Sequence, residues 1–283
     1  MSADNAEQIA EWNGAMGHIW AERQREIDRI IVPFGAAAMR EAAPEAGEHV
    51  LDIGCGCGDT SIAIARMVGD TGAVVGVDVS QPMLEVARSQ GKQAKLARLE
   101  FREADASAAE LPADLDLLFS RFGVMFFNDP LAAFGHMRKS LRKSGRCVFV
   151  CWRTPKDNPW AMTPLAAARE AMGITAPPAD PHAPGPFAFA DADRVRGILL
   201  GAGFDDIDVT RFDSTIEIGE SPRLAAERAM QIGPSSRLVR ELGPASAPVI
   251  LDAIERAFAA IAAPDGHVRL SGSTWIVSAG NPG

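Results

Sequence analysis

Four acidic or polar groups fall at recurring places in the first half of the chain. Asp52 ends the apolar run Val50-Leu51-Asp52-Ile53, and the glycines Gly54, Gly56 and Gly58 follow at once. Asp78 ends Ala73-Val-Val-Gly-Val-Asp78, and Asp105 follows the alternating stretch Leu99-Glu-Phe-Arg-Glu103. Ser120, Arg121 and Phe122 follow Leu115-Asp-Leu-Leu-Phe119. Carboxylates accept hydrogen bonds and attract cations. A ligand with an amino group, a ribose diol and an adenine amine could use the acceptors Asp52, Asp78 and Asp105 in that order, with Ser120–Arg121 at the same rim. Glycines between an apolar run and a helical pattern let the backbone approach such a ligand at a helix N-terminus.

The elements that must position these groups follow from periodicity. Each short apolar or alternating run reads as a strand, and each is followed by a helix-spaced pattern, such as Ile62, Ala65 and Val68. Strands alternating with helices imply a mainly parallel sheet, and ligands bind such sheets beyond the carboxyl ends of the strands. Ser80 reads as the N-cap of the helix after the second strand, with Pro82 in its first turn. Residues 129–142 read as a helix with Leu131, Phe134, Met137 and Leu141 on one stripe, and Ser144-Gly145 turns into a fifth strand over Arg146–Trp152.

These residues resemble the class I S-adenosylmethionine-dependent methyltransferases, and within them the UbiE-like enzymes acting on small molecules. The resemblance is carried by Val50-Leu-Asp-Ile-Gly-Cys-Gly-Cys-Gly58, Val75-Gly-Val-Asp78-Val-Ser80, Ala104-Asp105-Ala106 and Asp116-Leu-Leu-Phe-Ser-Arg121. It implies a Rossmann-like α/β fold, a seven-stranded mainly parallel sheet with an antiparallel strand 7, flanked by helices. It implies the cofactor S-adenosyl-L-methionine, with S-adenosyl-L-homocysteine as product. Asp52 with Gly54, Cys55, Gly56 and the loop through Thr60 would hold the methionine part, and Asp78 the ribose. Asp105 would take the adenine amine, with Val79, Met83 and Ala106 against the ring. Ser120, Arg121 and Phe122 would complete the rim.

The expected organisation is an N-terminal helical cover (1–44), a cofactor-binding core (45–152), a lid insertion (153–189), a core continuation (190–219), a helical lid insertion (220–270) and strand 7 with its tail (271–283). In the cover, Ile9, Trp12, Met16, Ile19, Ile27 and Ile30 recur at helical spacing. The segment is either packed on the sheet or folded with Trp20 over the cofactor. A separate short helix starts at Pro33 and ends before Pro44 and Gly47. The first insertion carries a helix from Thr163 to Met172 and a proline run over 176–186 that reads as extended. Asp191 caps the next helix. The second carries two helices, the latter with Ile250, Ile254, Phe258 and Ile261 on one face. Insertions of this size serve as lids or binding loops, or hold a homodimer together.

Methyl transfer by in-line displacement needs alignment and exclusion of water more than it needs a base. If a base is used, His18 and His182 are the candidates. Arg121 or Arg153 would hold an acceptor carboxylate or phenolate, or else form a salt bridge at the rim, and Trp160 and Phe187, with Trp152 and Phe189, would suit a small aromatic or hydrophobic acceptor. Two other readings stay open: an NAD(P)-dependent oxidoreductase, whose glycine loop has a different spacing, and a non-catalytic S-adenosylmethionine-binding protein. The 283 residues carry a net charge of −9, which argues against nucleic acid as a partner. No stretch is long and apolar enough for a membrane span, and the partner expected is a small-molecule acceptor. Cys55, Cys57, Cys147 and Cys151 do not show paired zinc spacing, so no metal is expected and the location expected is cytoplasmic.

Overall fold

The computed structural model describes residues 5–175 and 180–283, and divides into two units. The first holds residues 1–151, 182–212 and 274–283, and the second 152–181 and 213–273. Seven strands form one sheet in the order β3-β2-β1-β4-β5-β7-β6, mostly parallel with one antiparallel strand. They are β1 (His49–Ile53), β2 (Ala73–Asp78), β3 (Leu99–Glu103), β4 (Leu115–Arg121), β5 (Leu141–Trp152), β6 (Asp205–Gly219) and β7 (Val268–Gly280). The unit boundary cuts β6 after Phe212 and β7 before Thr274.

In the first unit β1 pairs with β2 on one side and β4 on the other, all parallel. Strand order therefore reverses between β1 and β4, which is where an open α/β sheet forms its ligand crevice. The register puts Asp52 opposite Gly76 and Phe119, and Asp78 opposite Glu103, so the acidic strand ends share one rim. The central strands β1 and β4 are largely apolar because both faces are covered, whereas the edge strand β3 alternates and is mostly exposed. Leu51, Leu117, Leu118 and Phe119 are fully buried, each contributing on the order of 1.5–3 kcal/mol of burial. Phe134, Phe149, Phe189 and Phe204 surround one another beside β5 and extend that core.

The helices that matter for the rim are α1 (Ala6–Asn13), α2 (Ala15–Glu22), α3 (Gln24–Ala42), α4 (Asp59–Val68) and α5 (Gln81–Ala94). Pro33 lies inside α3 and does not start a helix. The missing N–H costs one helical bond. The face of Ile27, Ile31, Phe34, Ala37 and Ala38 is nevertheless buried, and that burial holds the helix through the proline. Ser80 stands at the N-cap of α5 without capping it, because its hydroxyl donates to the Trp12 carbonyl.

Helix α6 (Pro130–Arg138) is shorter than its apolar spacing predicts. Leu141 belongs to β5, where it pairs with Leu115, and Leu131 is 49% exposed. Ser144, at φ +62°, donates its N–H to the Asn281 carbonyl, so the expected turn is an irregularity within a longer strand. The helix α8 (Ala192–Gly201) begins as expected, with Asp191 accepting from Asp193 N and Arg194 N.

The second unit contains α7 (Pro159–Ala171) and, after β6, α9 (Pro222–Ala229), α10 (Pro234–Leu242) and α11 (Ala247–Ala259). Three helices replace the expected two, since Gly233 and Gly243, both at positive φ, break the segment. Helix α11 packs on α7 and α9 through Ile250, Ile254 and Phe258, whereas Ile261 lies past its end and is 45% exposed. Ala176–Ala179, part of the expected proline run, fall outside the described residues. Among the described residues no helix is long and apolar enough to cross a membrane.

Candidate active site

The site is built on the turn from β1 to α4. Asp52 Oδ2 accepts from Thr60 Oγ1 at 2.7 Å and Ser61 Oγ at 2.6 Å, both on the first turns of α4. Its Oδ1 has no hydrogen-bond partner among the described residues, and the side chain is wholly buried. Burial raises the Asp52 carboxyl to about 6, against the two hydroxyls and the positive charge of Arg121. A buried carboxylate with one spare oxygen attracts a cation.

Gly54 at φ +66° crosses closest to the β4 side, where an added Cβ would stand 2.7 Å from the Gly123 Cα. Gly56 at φ +54° presents its N–H to Asp78 Oδ2 at 2.8 Å, with Met83 Cε at 2.8 Å from any Cβ built there. Glycine is required at both by conformation, and at Gly54 also by space, because there the obstructing atom is backbone and at Gly56 it is the mobile end of Met83. Asp78 Oδ1 accepts from Ser80 N at 2.8 Å. Burial pushes the Asp78 carboxyl up, and the backbone N–H groups of Ser80, Gly56 and Val79 pull it back. The two carboxylates thus brace the loop as well as facing the rim. Met83 is buried against Gly56, Ala106 is buried next to Asp105 in sequence, and Cys55 is a buried thiol of the loop pushed well above its ordinary range.

Other expected residues have their polar atoms already engaged. Thr60 spends its hydroxyl on Asp52. Ser120 Oγ donates to the Ile53 carbonyl at 2.8 Å and accepts from Gly123 N at 3.1 Å. Arg121, 10% exposed on its side chain, pairs with Asp28 of α3 at 2.9 Å and Asp59 of α4 at 3.3 Å. Phe122, at φ +65°, is buried against Phe34. Asp105 Oδ1 accepts from both N and Oγ of Ser107.

The N-terminal helices reach this rim with residues that local sequence reasoning passes over. Asn13 Nδ2 donates to the Val79 carbonyl at 2.7 Å, and its Oδ1 accepts from Gln81 N at 2.9 Å. Asn5 Nδ2 donates to Asp105 Oδ2 at 2.7 Å. Trp12 meets Trp20 and Phe126 edge to face, with centroids 5.6 and 5.3 Å apart. Trp20 therefore belongs to a cluster at the rim whose centre is Trp12. The only sequence signal for Trp12 is its place in the helical stripe.

The remaining candidates make no hydrogen bond to that turn among those described. His18 and His182 are exposed. Phe187 is half-buried in the first unit, beside the core residue Phe189. In the second unit Arg153 pairs with Asp157 at 3.3 Å and Asp213 at 2.9 Å. Trp160 lies 4.8 Å from Trp152 between ring centroids and donates its Nε1–H to Asn158 Oδ1. Cys57 and Cys147 are raised to about 12 by burial, so they are neutral thiols at physiological pH. Among the described residues no group of three or more His, Cys, Asp or Glu side chains is placed to hold a metal.

Residues 50–145 match the family described as methyltransferase domain. Aklanonic acid methyltransferase DauC of Streptomyces sp. (strain C5) is 33% identical over 122 residues, 43% of this chain and 56% of that protein. The O-methyltransferase cnsE of Penicillium expansum is 29% identical over 240 residues, 81% of this chain and 79% of that one. Among solved structures, phosphoethanolamine N-methyltransferase 2 of Haemonchus contortus, with phosphomonomethylethanolamine and S-adenosylhomocysteine bound, superposes with a TM-score of 0.58 at 17% identity. That match covers 97% of this chain and 59% of the other.

Proposed function

We propose that the chain transfers a methyl group from S-adenosyl-L-methionine to a small-molecule acceptor, since residues 50–145 match the family described as methyltransferase domain. The observation that carries this is the spare Oδ1 of Asp52, wholly buried at the end of β1 beside a glycine turn. An ammonium such as that of the methionine moiety fits it. The acidic residues at the ends of β2 and β3 suit a ribose diol and an amine, as Asp78 and Asp105. A pyrophosphate, which a nicotinamide cofactor would bring to the start of α4, would meet Asp59 in the first helical turn above buried Asp52. That charge pattern favours the methyl donor over a dinucleotide.

The sulfonium of the cofactor supplies the activated methyl group. The protein's part is to bind and align: Asp52 holds the amino group, the backbone at Gly54 and Gly56 lets the chain come close, and Asp78 and Asp105 fix the nucleoside. The Trp12–Trp20 pair limits water at the rim. No base is required for an acidic acceptor hydroxyl or carboxyl, and the exposed His18 and His182 are not assigned a step.

The acceptor is proposed to be small and aromatic or hydrophobic. Oxygen acceptors come first, because the relative aligned over most of this chain is an O-methyltransferase and another is named for a carboxylic acid. The four cysteines are free thiols, in keeping with a cytoplasmic location.

Calorimetric titration of S-adenosylmethionine and NADH into the wild type and Asp78→Ala tests the reading. Micromolar binding of the methyl donor, lost in Asp78→Ala, is expected. Binding of NADH without the donor would overturn it.

A further inference from the structure

Asn5 is the N-cap residue of α1, with φ −97° and ψ 0°. An asparagine there ordinarily turns its side-chain oxygen onto the free N–H groups of its own helix. Asn5 makes no such cap. Its side chain reaches across one hundred positions of sequence to donate to Asp105 Oδ2 at 2.7 Å. The residue is 9% exposed, and its Oδ1 has no hydrogen-bond partner among the described residues.

The orientation of that amide follows from its neighbour. A carboxylate only accepts, so the Nδ2 group must face Asp105 and the orphan atom must be the oxygen. A helix that gives up a cap and buries an unpaired acceptor loses stability on both counts. Such a loss persists where a ligand donor completes the arrangement. The donor required is one that reaches Asp105 and Asn5 together. Asp105 Oδ1 is taken by the N–H and hydroxyl of Ser107, at 2.9 and 2.7 Å, so the accepting capacity left is the second lone pair of Oδ2 and the whole of Asn5 Oδ1. Two acceptors side by side suit a group with two N–H bonds. The exocyclic amine of adenine has both.

We infer that Asn5 is a binding residue for the adenine amine, reading its second hydrogen through Oδ1 while Nδ2 stays on Asp105. This rests on the methyl-donor reading above. It makes the N-terminal segment part of the specificity for adenine and not only a cover. Asn13 serves as the contrast, since it fixes the other end of α1 to the backbone at Val79 and Gln81.

The test is calorimetric binding of S-adenosylhomocysteine and of S-inosylhomocysteine, in which a carbonyl replaces the amine, to wild type, Asn5→Ala and Asn13→Ala. Asn5→Ala should weaken the adenosyl ligand about 10-fold, as expected for one hydrogen bond near a charged group. The inosyl ligand, which offers no amine to Asn5, should weaken less, only through the lost tie of Asn5 to Asp105, so the preference between the two falls. Asn13→Ala should weaken both alike. Equal weakening of both ligands by Asn5→Ala would overturn the inference, and so would tighter adenosyl binding, which would make Asn5 a competitor for Asp105. A wild type that binds neither ligand would instead overturn the methyl-donor reading itself.

Discussion

The β1–α4 turn and the N-terminal helices α1 and α2 meet the same rim and are held there by opposite means. The turn is part of the core: Ile53, Cys55, Cys57, Thr60 and Ser61 are buried, and its conformation is set by glycines at positive φ. Helix α1 buries no residue and α2 buries only Gly17. They are fixed by polar contacts from Asn5, Asn13 and Ser80 and by the Trp12 cluster. Backbone geometry packed into a core is lost only on global unfolding. A few polar contacts on a poorly buried helix open locally at far smaller cost. The floor of the site is therefore rigid and the cover adjustable, which suits a ligand that must enter, be enclosed and leave.

The strongest way to test the floor is Gly54→Ala. A methyl group there meets the Gly123 Cα at 2.7 Å on a backbone at φ +66°. Strain and overpacking together should cost about 3 kcal/mol of stability, read by urea unfolding, and remove donor binding. A substitution absorbed without loss of either would mean the floor is as adjustable as the cover.

Asp52→Asn should separate binding from stability. Removing the charge opposite a ligand ammonium costs on the order of 2–5 kcal/mol, so donor affinity should fall about 100-fold. Stability without ligand should move the other way. The Asp52 carboxyl is raised from 3.8 to about 6 in the folded protein. The native state therefore holds a proton that the unfolded chain has released, and stability from this group falls as pH rises from about 4 to about 6. Asp52→Asn should flatten that slope in denaturant titrations and be the more stable protein at pH 7. Wild-type donor affinity should rise with pH through the same window, as Asp52 ionises. A pH-independent affinity in the wild type would remove Asp52 from the ammonium site.

The floor was legible in the sequence, and of the cover its helices were legible but not the contacts that hold it, for one physical reason. Asp52, Asp78 and Asp105 lie at or just beyond the ends of strands whose apolar runs announce them, and the glycines mark the turn. Local pattern alone places them. Asn5 and Asn13 act on partners 100 and 66–68 positions away, and an asparagine near a helix end has an ordinary local reading as a cap. Ser80 illustrates the same blindness, since it sits where a cap should be and donates to Trp12 instead. The extension of β5 back to Leu141 was hidden in the same way. Residues 141–145 carry helix-like spacing, and it is pairing with Leu115 and Asn281 that draws them into the sheet. Arg121 shows the converse: its position at the rim was plain, but its partners Asp28 and Asp59 lie on two other elements.

The smallest expected effect is the one that most sharpens the contrast between floor and cover. Trp12 is half-buried, and its edge-to-face contacts with Trp20 and Phe126 are worth about 0.5–1.5 kcal/mol each. In a core that loss would appear in global stability. In a segment that opens on its own, most of it appears as more frequent local opening, because the cover is already detached in the state from which the core unfolds. Trp12→Ala should therefore shift global unfolding by less than about 0.5 kcal/mol. Amide hydrogen exchange over residues 6–22 should accelerate about 10-fold or more, as expected for a loss of about 1.4 kcal/mol in local closing. Donor affinity should drop only a few-fold, since the floor that binds the ammonium and ribose is untouched. If Trp12→Ala instead lowers global stability by the full value of its contacts, α1 and α2 unfold with the core and the cover is no more adjustable than the floor.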